Sequence, residues 1–82
     1  MLEVNDKIRV ATIFGNGKVD PVWFEWKGRK IRIEKISYRW KEKEGSCVYM
    51  HYSIISNGTL YHIIWDRERM EWYLKEIGDD VL

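Results

Sequence analysis

The side chains with the most chemical potential in this sequence are His51, His62 and Cys47, which together suggest a metal or a nucleophile. Both histidines lie in an uncharged stretch, Ser46 to Trp65, on either side of Asn57-Gly58. A two-residue turn there makes them diagonal neighbours on one sheet face, with Cβ atoms ~7 Å apart. Two imidazoles can clasp a metal, but a zinc site takes three or four protein ligands. Cys47 is four residues from His51 along an extended strand, ~13 Å away and too far to join them. The histidines are therefore read as structural, with no metal and no cofactor. No Ser/His/Asp set, glycine-rich phosphate loop or carboxylate pair offers a footing for catalysis. The sequence points to a binding module and not to an enzyme.

Two surfaces carry binding chemistry. Between Lys27 and Lys43, eight basic residues face only Glu34 and Glu42. Arg29, Lys30, Arg32, Lys35, Arg39 and Lys41, with Trp23 nearby, suit phosphates and a stacked base. The net charge of only +1 is weaker than the usual basic footprint, and a charged outer strand also keeps a sheet soluble. The second surface is the outer face of the hairpin around Asn57-Gly58. It carries Tyr49, His51, Ser53, Ile55, Leu60, His62 and Ile64, too apolar for a solvated sheet. Two coverings fit: another part of the chain (the Lys7 to Phe14 strand or the tail), or a second copy in an isologous homodimer.

These residues must be positioned by strands. The chain has 82 residues and one cysteine, so its core rests on apolar burial with no intramolecular disulfide. Five Trp, five Tyr and two Phe supply that burial and favour half-buried strands. The sequence predicts one all-β domain over residues 1–82, a strongly bent antiparallel sheet or small SH3-like barrel of about six strands. Turns are expected at Gly15-Asn16-Gly17, Lys27-Gly28, Lys43-Glu44-Gly45, Asn57-Gly58 and Asp66 to Arg69.

Asn-Gly accepts positive φ at both central positions of a type I′ turn. That register sets Ser56 opposite Thr59, Ile54 opposite Tyr61, Tyr52 opposite Ile63 and Met50 opposite Trp65. A three-residue loop at Lys43-Glu44-Gly45 would then set Trp40 opposite Val48, Tyr38 opposite Met50 and Ile36 opposite Tyr52. Ile31 and Ile33 alternate on odd numbers, while Ile36, Tyr38 and Trp40 alternate on even ones. A bulge near Glu34-Lys35 reconciles them and brings Lys30, Arg32, Lys35, Arg39 and Lys41 onto one outer face. In the earlier strands, Ile8, Val10, Phe14, Val22, Phe24 and Trp26 take core-like parity. Residues 66–77 read as a strand pairing Trp65 with Met70, Ile63 with Trp72 and Tyr61 with Leu74. They also read as a helix capped by Asp66; agreement with the neighbouring registers favours the strand. Trp26, Trp40, Trp65 and Trp72 all take core parity, more indoles than a small barrel encloses. Some must therefore sit at a mouth, where a ligand could enter.

The segment PVWFEWKGRKIRI, followed by Tyr38-Arg39-Trp40, resembles a small uncharacterised bacterial domain family with a P-x-x-F-x-W-x-G-R motif. Its matching residues would be Pro21, Phe24, Trp26, Gly28, Arg29, Trp40, Gly58, Tyr61, Asp66, Trp72 and Leu74. The resemblance implies a strand for Trp72 to Leu74 and, through relatives beside translesion polymerase genes, a link to DNA metabolism. It implies no activity. The start of the chain, MLEVNDKIRV, has no basic n-region followed by an apolar stretch, so a cytoplasmic location is expected.

The sequence thus leaves two functions. One is protein–protein contact or self-association through Tyr49, His51, Ile55, Leu60, His62 and Ile64. The alternative is nucleic-acid binding through Trp23, Arg29, Lys30, Arg32, Lys35, Arg39 and Lys41.

Overall fold

A computed structural model describes residues 2–79. They form β1 (Leu2–Gly15), β2 (Lys18–Trp26), β3 (Arg29–Arg32), β4 (Lys35–Glu44), β5 (Cys47–Ser56), β6 (Thr59–Asp66) and β7 (Glu71–Asp79). All seven belong to one antiparallel sheet of order β3-β2-β1-β7-β6-β5-β4. Among the described residues there is no helix, and so none long and apolar enough to cross a membrane.

The strand order dictates the shape. β3 and β4 are the two edges of the sheet, yet only Ile33 and Glu34 separate them in the chain. Laid flat, seven strands would hold those edges roughly 29 Å apart. Two extended residues reach only about 7 Å. The sheet must therefore curl until its edges meet, which makes a half-barrel. Glu34 N–H donates to Ile55 O on one side of this seam, and Ile33 N–H donates to Val22 O on the other, each at 3.0 Å. The Glu34 carboxylate also accepts the Asn57 N–H at 3.0 Å, tying the β5–β6 turn to the seam.

Curling produces one concave face, and the core fills it. Ile8, Phe24, Ile31, Tyr52, Ile54, Ile63, Trp65, Trp72 and Leu74 are buried there. Trp65 stacks on Trp72 across β6 and β7, and Phe24 meets Tyr61 edge-on. The N–H of half-buried Trp26 donates to Asp6 Oδ2 at 2.9 Å, so its indole packs inward without an orphaned donor. Several of the residues singled out in the sequence have structural roles here. Phe24, Trp72 and Leu74 are core, and Gly28 completes a turn. Asp66 Oδ1 accepts the N–H groups of Glu68 and Arg69.

The β5–β6 hairpin has the expected register, Tyr52 opposite Ile63 and Met50 opposite Trp65. β7 is a strand, but two residues out of the expected pairing, with Trp65 opposite Trp72 and Ile63 opposite Leu74. The preceding turn runs through Met70, whose φ is 57°, so the strand starts later. A slip of two keeps Trp72 and Leu74 on the core face. A further register shift between Ile63 and His62 then sets Tyr61 opposite Ile77 and not Leu74.

The β4–β5 hairpin departs further. Its loop is Gly45-Ser46 and not Lys43-Glu44-Gly45, with Glu44 opposite Cys47. Gly45 has φ 59°, which suits the first central position of a type II′ turn. The register becomes Ile36 opposite Ile54, Tyr38 opposite Ser53 and Trp40 opposite His51. The parity change expected near Glu34-Lys35 is present at the Ile33-Glu34 break. A second one follows, where the register shifts between Ile36 and Tyr38 at Ser37. Ile36 therefore packs against the core, while Tyr38 and Trp40 point outward and Arg39 and Lys41 point inward.

Lys27 is a strained position. It has φ 51° in the two-residue β2–β3 turn, where asparagine is better suited. Lys27→Asn should raise unfolding free energy by about 0.5–1 kcal/mol. Urea denaturation monitored by tryptophan fluorescence measures this; an unchanged or lower midpoint would contradict the turn geometry.

Candidate functional site

The seam that closes the half-barrel runs out partway along β4, and the site begins there. Past Glu34, two contacts still bridge β2 to β4 and β5. Arg39 Nη1 donates to Asp20 Oδ1 at 2.8 Å, and Tyr52 O–H donates to Val19 O at 2.7 Å. The Arg39 guanidinium also lies 5.6 Å over the Tyr52 ring. Beyond this latch β4 and β2 part, and the concave face opens as a mouth of about 390 Å³.

The floor of the mouth is Met50, Tyr52 and Trp65. Phe14, from the tip of the β1–β2 hairpin, meets Trp65 in a T-shaped contact with ring centroids 6.3 Å apart and planes at 72°. Core-like parity predicts burial of Phe14, yet it is 63% exposed. The register of β1 and β2 shifts between Ala11 and Thr12, and β1 pairs with β7 only as far as Ile8. The hairpin tip is thereby carried to the rim, with much of the Phe14 ring exposed. Around the rim stand Lys18, Arg39, Lys41 and Arg67, and among the described residues no carboxylate lines the mouth. Arg39 is tied to Asp20. Lys18, Lys41 and Arg67 have no acidic partner within 4.0 Å among the described residues.

The basic residues singled out in the sequence thus divide between two places. Lys30 and Arg32 remain on the outer face of β3 with Trp23, which stands opposite Arg32. Lys30 Nζ sits 4.3 Å above the Trp23 ring and so covers it. Lys35 stands opposite Ile55, while Arg29 lies exposed beside the β2–β3 turn. Arg39 and Lys41 leave this group for the mouth, a correction caused by the Ser37 bulge. Phe14 and Lys18, from the β1–β2 hairpin, and Arg67, from the β6–β7 turn, escape the sequence reading because they are far apart in the chain. The large aromatic beside Gly15-Asn16-Gly17 was the available signal.

Among the described residues, the strand from Lys7 to Phe14 does not cover the apolar outer face; the tail beyond residue 79 lies outside the described residues. Trp40, displaced from the expected core, lies across that face. Its ring stacks on His51 at 4.9 Å and 18°, and tilts over His62 at 5.1 Å. The histidines are diagonal neighbours, as the register requires, with Nδ1 of His51 2.8 Å from Nε2 of His62. One of these nitrogens must carry a proton for that contact to be a hydrogen bond. Among the described residues no group of three metal-ligating side chains includes them. Tyr49 and Ile64 flank the pair in a shallow groove of about 450 Å³, whose charges are of both signs: Glu42, Glu44 and Lys75. Ile55 and Leu60 pair with each other further along the hairpin, both half-buried.

Comparison with protein-family models, curated proteins and solved structures finds no match.

Burial lowers the pKa of both imidazoles below 6.5, and His62 is lowered further by the charge of His51. A depressed folded-state pKa means the neutral pair stabilises the fold above pH ~6.5, and that stability is lost as pH falls through the folded values. Between about pH 7.5 and about pH 5.5 the unfolding free energy should fall, and fall less in His62→Gln. Equal pH dependence in both proteins, by urea denaturation, would contradict the arrangement.

Proposed function

We propose that this domain is a non-enzymatic nucleic-acid-binding module that uses the mouth of its half-barrel. The observation that carries this reading is the composition of the mouth: Lys18, Lys41 and Arg67 without an acidic partner, Arg39 paired with Asp20, an aromatic and thioether floor, and, among the described residues, no carboxylate in the lining. A phosphate backbone supplies the complementary charge, and nucleobases supply the flat apolar rings. The other surfaces fit this ligand less well. The cations of the neighbouring cleft behind Phe14 are already engaged, Lys7 by Glu71, Arg9 by Glu25 and Arg69 by Asp66. The outer groove holds charges of both signs.

Self-association is a second reading. Tyr38 is 65% exposed beside Trp40 and continues the apolar patch of Ile55 and Leu60. Light scattering on the wild type and on Leu60→Glu tests it; a monomer at high micromolar concentration would exclude it.

The nucleic-acid reading is tested by fluorescence anisotropy with a labelled oligothymidylate at low and moderate salt. Binding to single strands weakens with salt by a log–log slope of about −0.7 for each phosphate neutralised. Lys41→Ala and Arg67→Ala should each weaken binding and make that slope shallower by roughly 0.7. Arg32→Ala, on the outer face, should leave it unchanged. Affinity insensitive to salt, or lost with Arg32→Ala and retained in Lys41→Ala, would overturn the proposal.

A further inference from the structure

We infer that the mouth takes single-stranded nucleic acid, with one unpaired nucleobase turned in against Phe14, and does not read a duplex. The inference rests on the nucleic-acid reading above and adds the strand state of the ligand.

Recession of the apolar surface is the first argument. Behind the rim of cations the accessible apolar surface is that of half-buried Met50 and of Trp65, which is 8% exposed, while fully buried Tyr52 only backs them. In a duplex each base is stacked on its neighbours and offers only its edge to the grooves. Ring faces become reachable only when a base leaves the stack. A floor set behind its rim therefore contributes nothing to a duplex lying across that rim.

Size and orientation agree. A mouth of about 390 Å³ lies near the lower end of small-ligand sites, enough for one base and its sugar. Phe14 and Trp65 already meet in a T-shaped contact, and Phe14, largely exposed, keeps ring surface available to a base. Charge places the backbone: Lys18 of the β1–β2 hairpin, Arg67 of the β6–β7 turn and Lys41 on β4 line the mouth from three elements and can meet the phosphates that flank the inserted nucleotide.

An aromatic floor also separates a nucleic acid from a polyanion without rings. Stacking on one aromatic side chain is lost when that side chain is truncated, and the loss is roughly tenfold to a hundredfold in affinity. Because Phe14 is exposed at a hairpin tip, its removal leaves the core intact.

The test compares three unlabelled competitors for the labelled oligothymidylate: the same single strand, a duplex of equal length, and inorganic polyphosphate of matched charge. A length of about 12 nucleotides suits a small β-barrel site. The single strand should compete at least about tenfold better than either alternative. Phe14→Ala should lower single-strand affinity roughly tenfold or more while the salt slope stays unchanged. Circular dichroism verifies that the variant is folded. Equal competition by the duplex, with salt-dependent binding intact, would overturn the single-strand inference and leave the nucleic-acid reading standing. Equal competition by polyphosphate, or indifference to Phe14→Ala, would mean that charge alone is recognised and would also overturn it. No binding of either nucleic acid would remove both readings.

Discussion

The two edges of the sheet are consecutive in the chain, and this one constraint generates the rest of the molecule. Joining β3 to β4 through Ile33-Glu34 forces a seven-stranded sheet to curl. The curl creates a concave face, the concave face collects Phe24, Tyr52, Ile63 and Leu74, and those side chains supply the apolar burial that a chain of this size needs. The same join also fixes where the barrel is open. Contacts across the seam run from Glu34 to the Asp20–Arg39 pair and the Tyr52–Val19 hydrogen bond, then cease. Partly exposed ion pairs contribute little to stability. Asp20–Arg39 matters more for marking where the seam ends and the mouth begins.

The second constraint is one unpaired residue. The bulge at Ser37 sends alternate side chains of β4 to new faces. Trp40 goes outward onto the histidine pair, and Arg39 and Lys41 go inward to the mouth. Without it the mouth would lose two of its four cations and β4 would present a uniformly basic back. Trp40 over the histidine pair and the Arg39 and Lys41 side chains at the mouth therefore lie on opposite faces of the same strand, each placed by the same local irregularity.

Much of this was legible in the residues. Asn57-Gly58 specified its hairpin and register, and the alternation of apolar side chains from Met50 to Trp65 specified the core face. The diagonal approach of His51 and His62 followed from that register alone. The β4–β5 hairpin was less legible because two glycine turn types compete in Glu44-Gly45-Ser46. The type II′ choice moves the register by an odd number and flips Trp40 outward. A single parity change was readable from Ile33 to Ile36, but Tyr38 and Trp40 have the apolar character of core residues, and this conceals the second change. The mouth itself could not be read as a motif. Phe14, Lys18, Lys41 and Arg67 come from different turns and strands, and only the curl of the sheet brings them together.

The central claim is that this curl builds a binding mouth on the concave side and leaves the outer face as a covered sheet. Residue-resolved NMR tests it most directly, by following backbone amide shifts while an oligothymidylate is added. The account predicts saturable shifts at Phe14 to Val19, at Arg39 to Lys41 and around Arg67. Amides around Trp23, Lys30 and Arg32 should stay in place. Shifts concentrated on that outer β2–β3 surface, with the mouth residues unmoved, would contradict it.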